Sequence, residues 1–233
     1  MAVAEAVYVL LGFGAGLIAV GTLALVLPEL KDVVVLLLLV NLPAELWVVR
    51  SSWREISWRR VLILFVGVAV GIPLGTWFLQ WGDPGFLLIV LGLFLVVVGA
   101  VFLLTPKSRG SGLPPWTASP TGLLSGILTG LFGTGGPPLI IYYQLSGVDK
   151  TAFRSNLMAI FLLMTTVRVP SYALFGLITA PRLWSALAVM PAALLGAFIG
   201  NHIHLRLKET TFRRMVSAAL ILIGLLLLIP AGR

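Results

Sequence analysis

The sequence predicts an all-α protein that crosses a membrane several times. Hydrophobic residues make up 59% of the 233 positions and charged residues only 10%, which is too little charge to cover the surface of a soluble domain. Several uncharged runs have about the 20 residues that a bilayer core requires. These runs cover residues 6–28, 61–81, 86–106, 183–205 and 215–232. One such run could be a signal or an anchor, but this many predict a polytopic membrane protein.

The apolar segments form two similar halves of four segments each. The eight segments cover 6–28, 33–49, 61–81, 86–105, 117–145, 153–179, 183–204 and 212–230. Glycine landmarks recur in the same order in both halves. Phe13, Gly14 and Gly16 align with Phe132, Gly133 and Gly135, Gly71-x-x-x-Gly75 aligns with Gly196-x-x-x-Gly200, and Gly99 aligns with Gly224. We therefore predict a first transmembrane repeat over 1–106, a linker over 107–116 and a second repeat over 117–233.

The basic residues predict how these segments cross the membrane. If all eight segments cross, Lys and Arg divide eight against seven between the two sides, which shows no positive-inside bias. If the first and fifth segments are re-entrant instead, the division becomes twelve against three. The same tally results if only the fifth is re-entrant, and symmetry favours both. Each half would then cross three times, and an odd number of crossings makes the two halves inverted repeats.

A glycine- and proline-rich stretch interrupts the fifth segment and is the first candidate site. It reads Gly133-Thr134-Gly135-Gly136-Pro137-Pro138, and these residue types break a helix. A broken helix presents unpaired N–H groups at the positive end of a half-helix dipole, which favours an anion. Gly14 and Gly16 form a weaker copy in the first half. The alternative is a glycine-lined packing groove between helices.

Arg168 is the second candidate, because it falls within an apolar segment. It lies 14 residues from both Arg154 and Arg182, so a helix would place it roughly 20 Å from either end. A charge at that depth usually faces a cavity or a partner. We predict an anion-attracting residue or gate; the alternative is a side chain that snorkels to one interface.

Other polar residues in the apolar segments are candidates for binding or gating. Asn41 and Asn156 would hydrogen-bond the substrate or another helix. Glu45 would pair with Arg50 or Arg168, or carry a proton, and an interfacial ion pair is the preferred reading. Arg50 is the first-half counterpart of Arg168.

Several other functions are excluded or disfavoured. The chain has no cysteine, which removes disulfides and thiolate chemistry. His202 and His204 are two positions apart and do not share a helix face, so we predict no metal and no cofactor. The formal charge of +8 comes from basic residues in short loops, as topology requires, and does not indicate nucleic-acid binding. The sequence contains no Walker motif, no GxSxG motif and no paired carboxylates, so nothing in it indicates an enzyme.

The second half resembles the signature of the TauE/SafE sulfite exporter family. The resemblance is carried by the stretch Leu124–Pro138 and by later motifs. These are Gly147-Val-Asp-Lys150, Phe153-Arg-Ser-Asn156, Gly176-Leu177, the pair Gly196 and Gly200, and Phe212-Arg-Arg214. It implies that Gly133 to Pro138, with Pro137 among them, contact the substrate. It also places Arg154 and Asn156 nearby, and Arg154 joins Glu45 and Arg50 as a candidate for gating.

The resemblance implies a secondary transporter for small sulfur-containing anions such as sulfite or an organosulfonate, with export as the expected direction. The expected mechanism is alternating access, with one inverted half moving against the other. The alternative is a permease or channel for another small anion, such as a carboxylate. The predicted location is the plasma (inner) membrane. The predicted partners are the substrate and the lipid bilayer, and the sequence leaves a homo-oligomer open.

Overall fold

Nine α-helices make up the described part of the chain, which confirms the predicted all-α class. A computed structural model describes residues 15–27, 29–52, 56–104, 113–146, 150–202 and 209–229. The helices are α1 (Ala15–Val26), α2 (Leu30–Ser52), α3 (Trp58–Trp81), α4 (Pro84–Leu104), α5 (Ala118–Phe132), α6 (Gly136–Leu145), α7 (Lys150–Leu174), α8 (Ala180–His202) and α9 (Glu209–Leu228). A short 3₁₀ turn, Pro115–Thr117, precedes α5.

The outer surface of the bundle is apolar. Within the described residues, three stretches are long and apolar enough to cross a membrane: Trp58–Trp81, Pro84–Leu104 and Ser155–Leu174. Large hydrophobic side chains are exposed along α3, α4 and α9, among them Val66, Val70, Val97 and Leu222. Lipid, unlike water, solvates such a surface at little cost. Gly16–Val26, Ala118–Phe132 and Arg214–Leu228 are apolar helical stretches that are shorter.

Six glycines bring the backbones of α3 and α5 into contact. Gly67, Gly71 and Gly75 on α3 face Gly122, Gly126 and Gly130 on α5. The positions advance together along both helices, so the two helices run parallel. Small residues at four-residue spacing are how membrane helices approach closely. This is the most extensive helix pairing in the described bundle, and it joins a helix of the first predicted repeat to one of the second.

A second close pairing joins α4 and α9, and it also links the two predicted repeats. A Cβ on Gly92 would lie 2.9 Å from the Gly224 carbonyl oxygen. A Cβ on Gly99 would lie 2.8 Å from the carbonyl oxygen of Ser217. The numbering rises along one helix as it falls along the other, so these helices are antiparallel.

Polar contacts identify the two ends of the bundle. At one end Arg182 donates to Asp32 Oδ1 at 2.6 Å and to Glu29 Oε2 at 3.1 Å. Lys31 Nζ lies at the same end and donates to the Gln80 carbonyl at 2.9 Å. At the other end α3 begins, where the Ser57 amide donates to Asn156 Oδ1 at 2.7 Å.

Candidate functional site

A cavity inside the bundle collects most of the residues that the sequence singled out. Its volume is about 50 Å³, which holds a few water molecules or one small ion. The predicted residues that line it come from α1, α2, the break between α5 and α6, and α7. They are Gly16, Asn41, Glu45, Gly133, Thr134, Gly135, Gly136, Pro137 and Arg168. Residues of both predicted halves therefore meet around one space.

The helix break lies where the sequence predicted it. α5 ends at Phe132 and α6 begins at Gly136. Gly133 has φ +72° and sends its N–H to the Thr129 carbonyl at 2.8 Å, which is a left-handed C-cap that favours glycine. The chain then folds back, and Ser125 Oγ donates to the Gly135 carbonyl.

The start of α6 supplies backbone donors to the cavity, but fewer than an ordinary helix start. The first N–H groups of a helix have no partner within it. Pro137 and Pro138 occupy the first turn and carry no N–H. Donation from this turn therefore falls to Gly135 and Gly136, while Pro137 contributes only the surface of its ring.

Arg168 is buried beside the break, with only 5% of its surface exposed. Its Nη2 donates to the Val34 carbonyl on α2 at 2.6 Å, and its Nη1 reaches the Gly133 carbonyl at 3.4 Å. Its Cζ lies 5.0 Å from the ring centroid of Tyr172, a cation–π distance. Its buried Nε has no hydrogen-bond partner among the described residues. Arg168 is therefore a buried cation, held between two backbone carbonyls and an aromatic ring.

Glu45 and Asn41 enter the cavity from the same face of α2. They are four residues apart, which is one turn of helix. Glu45 is buried, and its Oε2 accepts a hydrogen bond from Thr165 Oγ1 at 2.7 Å. This partner lies on α7, within the bundle, and the interfacial ion pair that the sequence favoured for Glu45 stays a prediction. The cavity is thus lined by the carboxyl group of Glu45 as well as by the guanidinium of Arg168.

The remaining predicted residues lie elsewhere. Asn156 is fully buried, but its Oδ1 accepts the Ser57 amide at the start of α3, so it joins two helices, as the alternative reading had it. Arg50 is exposed in the last turn of α2. Gly14 and the side chain of Arg154 lie outside the described residues.

Further residues line the cavity that the sequence analysis did not select. They are Leu17, Thr129, Ile140, Phe161, Met164 and Thr165. Three of them share α7 with Arg168, at the i, i+3, i+4 and i+7 positions that define one helix face. The sequence could have predicted these three residues, because Arg168 defines the face of α7 that they share.

The two glycines at the start of α6 differ in the space around them, which gives a matched pair of substitutions. A Cβ on Gly135 would collide with the Ser125 carbonyl and the Thr129 hydroxyl, whereas on Gly136 the nearest atom would be Phe161 Cζ at 3.4 Å. We expect Gly135→Ala to destabilise the fold by roughly 1–3 kcal/mol and to displace the break. The free energy of unfolding of Gly136→Ala should stay within about 1 kcal/mol of the wild-type value. The thermal unfolding midpoint of both purified variants checks this, and equal midpoints would contradict it.

Comparison with known proteins identifies the family. The family model described as sulfite exporter TauE/SafE matches residues 1–227. The chain belongs to this family. It is therefore a membrane transporter, and its apolar helices are those of a multi-pass protein of the plasma (inner) membrane.

Two curated proteins of this kind are similar along most of their length. The probable sulfite/organosulfonate exporter TauE of Cupriavidus necator is 27% identical over 224 residues, which cover 94% of this chain and 88% of that protein. The probable inner membrane transporter protein TsaS of Comamonas testosteroni is 27% identical over 193 residues, covering 82% and 80%. No solved structure matches the chain.

Proposed function

We propose that this TauE/SafE protein is a secondary transporter that exports a small sulfur-containing anion, such as sulfite or an organosulfonate. The observation that carries the proposal is the meeting of a buried arginine and the start of α6 at one cavity. A cation and a positive helix end on the same side of a small space favour a bound anion. The printed name of the Cupriavidus relative supports sulfite and organosulfonates as the substrate class.

In the proposed binding mode, the oxygens of the anion accept hydrogen bonds from the Gly135 and Gly136 amides. The hydroxyl of Thr134 and the amide of Asn41 supply further donors. The guanidinium of Arg168 provides the charge that replaces hydration. Gly16 brings the first half to this site, where a Cβ would lie 3.9 Å from Thr134 Oγ1, an ordinary contact distance.

Inverted repeats are the proposed architecture behind this site. At the offset of 125 residues, Gly92 corresponds to Ser217 and Gly99 to Gly224. Exchanging the halves therefore turns the observed contact of Gly92 with Gly224 into the observed contact of Gly99 with Ser217. A two-fold axis in the membrane plane requires an antiparallel contact of this kind. This supports repeats over 1–106 and 117–233.

The ends of the bundle support a re-entrant fifth segment. If every segment crossed, Lys31 and Arg182 would lie on opposite sides of the membrane, yet both lie at one end with Asp32. Ser57 and Asn156 likewise meet at the other end. In addition, α5 and α6 are about 22 Å and about 15 Å long, each shorter than a bilayer core of about 30 Å.

The proposed driving force for export is the membrane potential. A potential that is negative inside favours outward movement of an anion by about 2.3 kcal/mol per charge per 100 mV. The second candidate is a permease or channel for another anion, such as a carboxylate. The observation in its favour is that backbone amides and a guanidinium recognise charge and oxygen atoms, which sulfonates and carboxylates share.

The test is ligand-induced stabilisation of the purified protein, with sulfite, sulfoacetate, thiosulfate, sulfate, acetate and chloride as ligands. A ligand that binds only the folded state adds about 2.7 kcal/mol at 100 times its dissociation constant. Stabilisation by sulfite or a sulfonate supports the proposal, whereas stabilisation by acetate alone supports the second candidate. Saturable counterflow in proteoliposomes distinguishes a transporter from a channel.

A further inference from the structure

We propose that the cavity selects a sulfonate that carries a short apolar group, and that Phe161 is the main specificity-determining residue for that group. The inference rests on the proposed function, because it concerns the anion held beside Arg168 and the start of α6. It narrows the substrate class from sulfite and organosulfonates in general to alkanesulfonates of one or two carbons, such as methanesulfonate and ethanesulfonate.

One face of α7 gives the cavity a charged end and an apolar end. Phe161, Met164 and Arg168 all line the cavity, at positions i, i+3 and i+7 of one helix face. Seven positions of helix separate Phe161 from Arg168 by roughly 10 Å along the axis. The positive charge and the aromatic ring therefore belong to opposite ends of the lining.

The helix break runs alongside this face in the opposite direction. A Cβ on Gly133 would lie 2.6 Å from Arg168 Nη2, whereas a Cβ on Gly136 would lie 3.4 Å from Phe161 Cζ. The amides of Gly135 and Gly136 therefore lie between the guanidinium and the phenyl ring. An anion that accepts hydrogen bonds from these amides has Arg168 on one side and Phe161 on the other.

Carbon atoms from three helices surround the apolar end. Ile140 Cδ1 on α6 would lie 3.8 Å from the same Cβ on Gly136, so Ile140 and Phe161 border one space. Met164 on α7 and Leu17 on α1 line the cavity as well, and both are buried. Burial of each CH₂ of a ligand against such a surface raises its affinity by about fourfold.

The described lining provides a partner for one anionic group and not for two. Arg168 carries the one positive charge among the lining residues that the structure describes. The Thr129 hydroxyl donates to the Ser125 carbonyl at 2.8 Å. The Thr165 hydroxyl donates to Glu45 at 2.7 Å, so both hydroxyls use their one proton within the protein. A second carboxylate on the substrate would be buried without a cation, which is costly, so the cavity favours a monoanion.

The size of the cavity limits the apolar group to a few atoms. The volume of about 50 Å³ holds a few water molecules, and the sulfur and oxygens of a sulfonate occupy most of that space. One or two carbons then fit between the sulfur and Phe161. An alkanesulfonate of this size carries a single negative charge, so the membrane potential also drives its export.

The test compares ligands that differ only in the group on the sulfur. Methanesulfonate and sulfamate have the same charge and nearly the same shape, but sulfamate presents an amino group in place of the methyl group. Calorimetric titration of the purified wild type is expected to show methanesulfonate binding about fivefold or more tightly than sulfamate, because the amino group would be buried without a partner. Ethanesulfonate should bind about fourfold more tightly than methanesulfonate, and sulfoacetate at least about tenfold more weakly than ethanesulfonate.

Truncating Phe161 tests whether its ring contacts the apolar group. In Phe161→Ala the affinity for ethanesulfonate should fall by about fivefold, while the affinity for sulfamate should stay within about twofold of wild type. The space that the ring vacates should also admit butanesulfonate, which the wild type is expected to exclude. Leu162→Ala truncates the next residue of α7, which is likewise half-buried but is not a lining residue, and should keep the wild-type order of ligands.

Two results would overturn the inference. One is that sulfamate or taurine binds the wild type as tightly as methanesulfonate does, because the tail would then meet polar groups. The other is that Phe161→Ala lowers the affinity for every ligand by the same factor, because the ring would then only support the fold.

The wild-type comparison needs no variant and decides the case if Phe161→Ala does not fold. Sulfite binding with no gain from an alkyl group would refute the inference and leave the proposed function intact. If neither sulfite nor any sulfonate binds the wild type, the proposed function itself fails.

Discussion

Replacing Arg168 with alanine is expected to lower the affinity for the transported anion by about 30-fold or more. Truncating one partner of a buried, hydrogen-bonded charge pair costs roughly 2–5 kcal/mol, and in the proposed binding mode the partner of Arg168 is the anion. The substitution also leaves the carbonyls of Val34 and Gly133 without their donor. Loss of a buried partner of this kind destabilises a fold by about 1–3 kcal/mol. Dissociation constants for sulfite and ethanesulfonate, measured on protein that is still folded, check the prediction.

Two further variants separate charge from geometry at Arg168. Arg168→Lys keeps the charge but loses the planar fork that reaches Val34 and Gly133 together, so we expect an affinity between those of wild type and the alanine variant. Arg59→Ala removes the same charge from an exposed position at the start of α3 and should leave affinity within about twofold of wild type. Normal binding by folded Arg168→Ala would remove this residue from the proposed site.

Placing leucine at Gly71 is expected to prevent recovery of folded protein. A Cβ at this position already collides with the Leu123 carbonyl and would lie 2.8 Å from the Ile127 amide nitrogen. Both neighbours are backbone atoms of α5, so no rotamer change relieves the clash. The two helices would have to separate along all of their facing glycines. Overpacking by a few atoms alone usually costs roughly 1–3 kcal/mol. Yield of monodisperse protein and the unfolding midpoint in detergent are the measurements.

A graded series tests whether backbone contact is the cause. Gly71→Ala should lower the unfolding midpoint and still give folded protein. Gly85→Ala introduces the same methyl at an exposed position at the start of α4, where the nearest atom is the side-chain Oδ1 of Asp83 at 3.2 Å. We expect little change there. Equal midpoints for the two alanine variants would show that α3 and α5 tolerate wider spacing.

The sequence predicted the helices and the break well because both depend on local chemistry. Apolar runs fix where helices lie, so the segment predicted over 61–81 was observed as Trp58–Trp81. Glycine and proline end helices wherever they occur together, so the fifth segment divides between Phe132 and Gly136. Arg168 was predicted at mid-membrane depth from its distance to the flanking basic residues; it is buried, but its guanidinium contacts Val34, two residues from Asp32 at one end of the bundle, so the depth stays a prediction.

The partners of these residues could not be predicted, because they depend on which helices pack together. Nothing local distinguishes Asn41, which lines the cavity, from Asn156, which meets the start of α3. Thr165 could not be selected from the sequence, because it hydrogen-bonds to Glu45, which is 120 positions away. The four-residue spacing of the glycines on α3 and α5 can be seen in the sequence. The sequence does not show which helix the glycines of each would contact.

The glycine contacts also constrain which parts of the transporter can move. α3 packs against α5, and α4 packs against α9, so these two close pairings of the described helices each join a helix from before residue 106 to one from after residue 117. Separating the two sequence halves would open both interfaces and expose bare backbone to lipid. The rigid bodies of the transport cycle are therefore expected to be mixed in origin, each assembled from helices of both halves. The seam between them would run through the cavity, not through the linker that joins the halves in sequence.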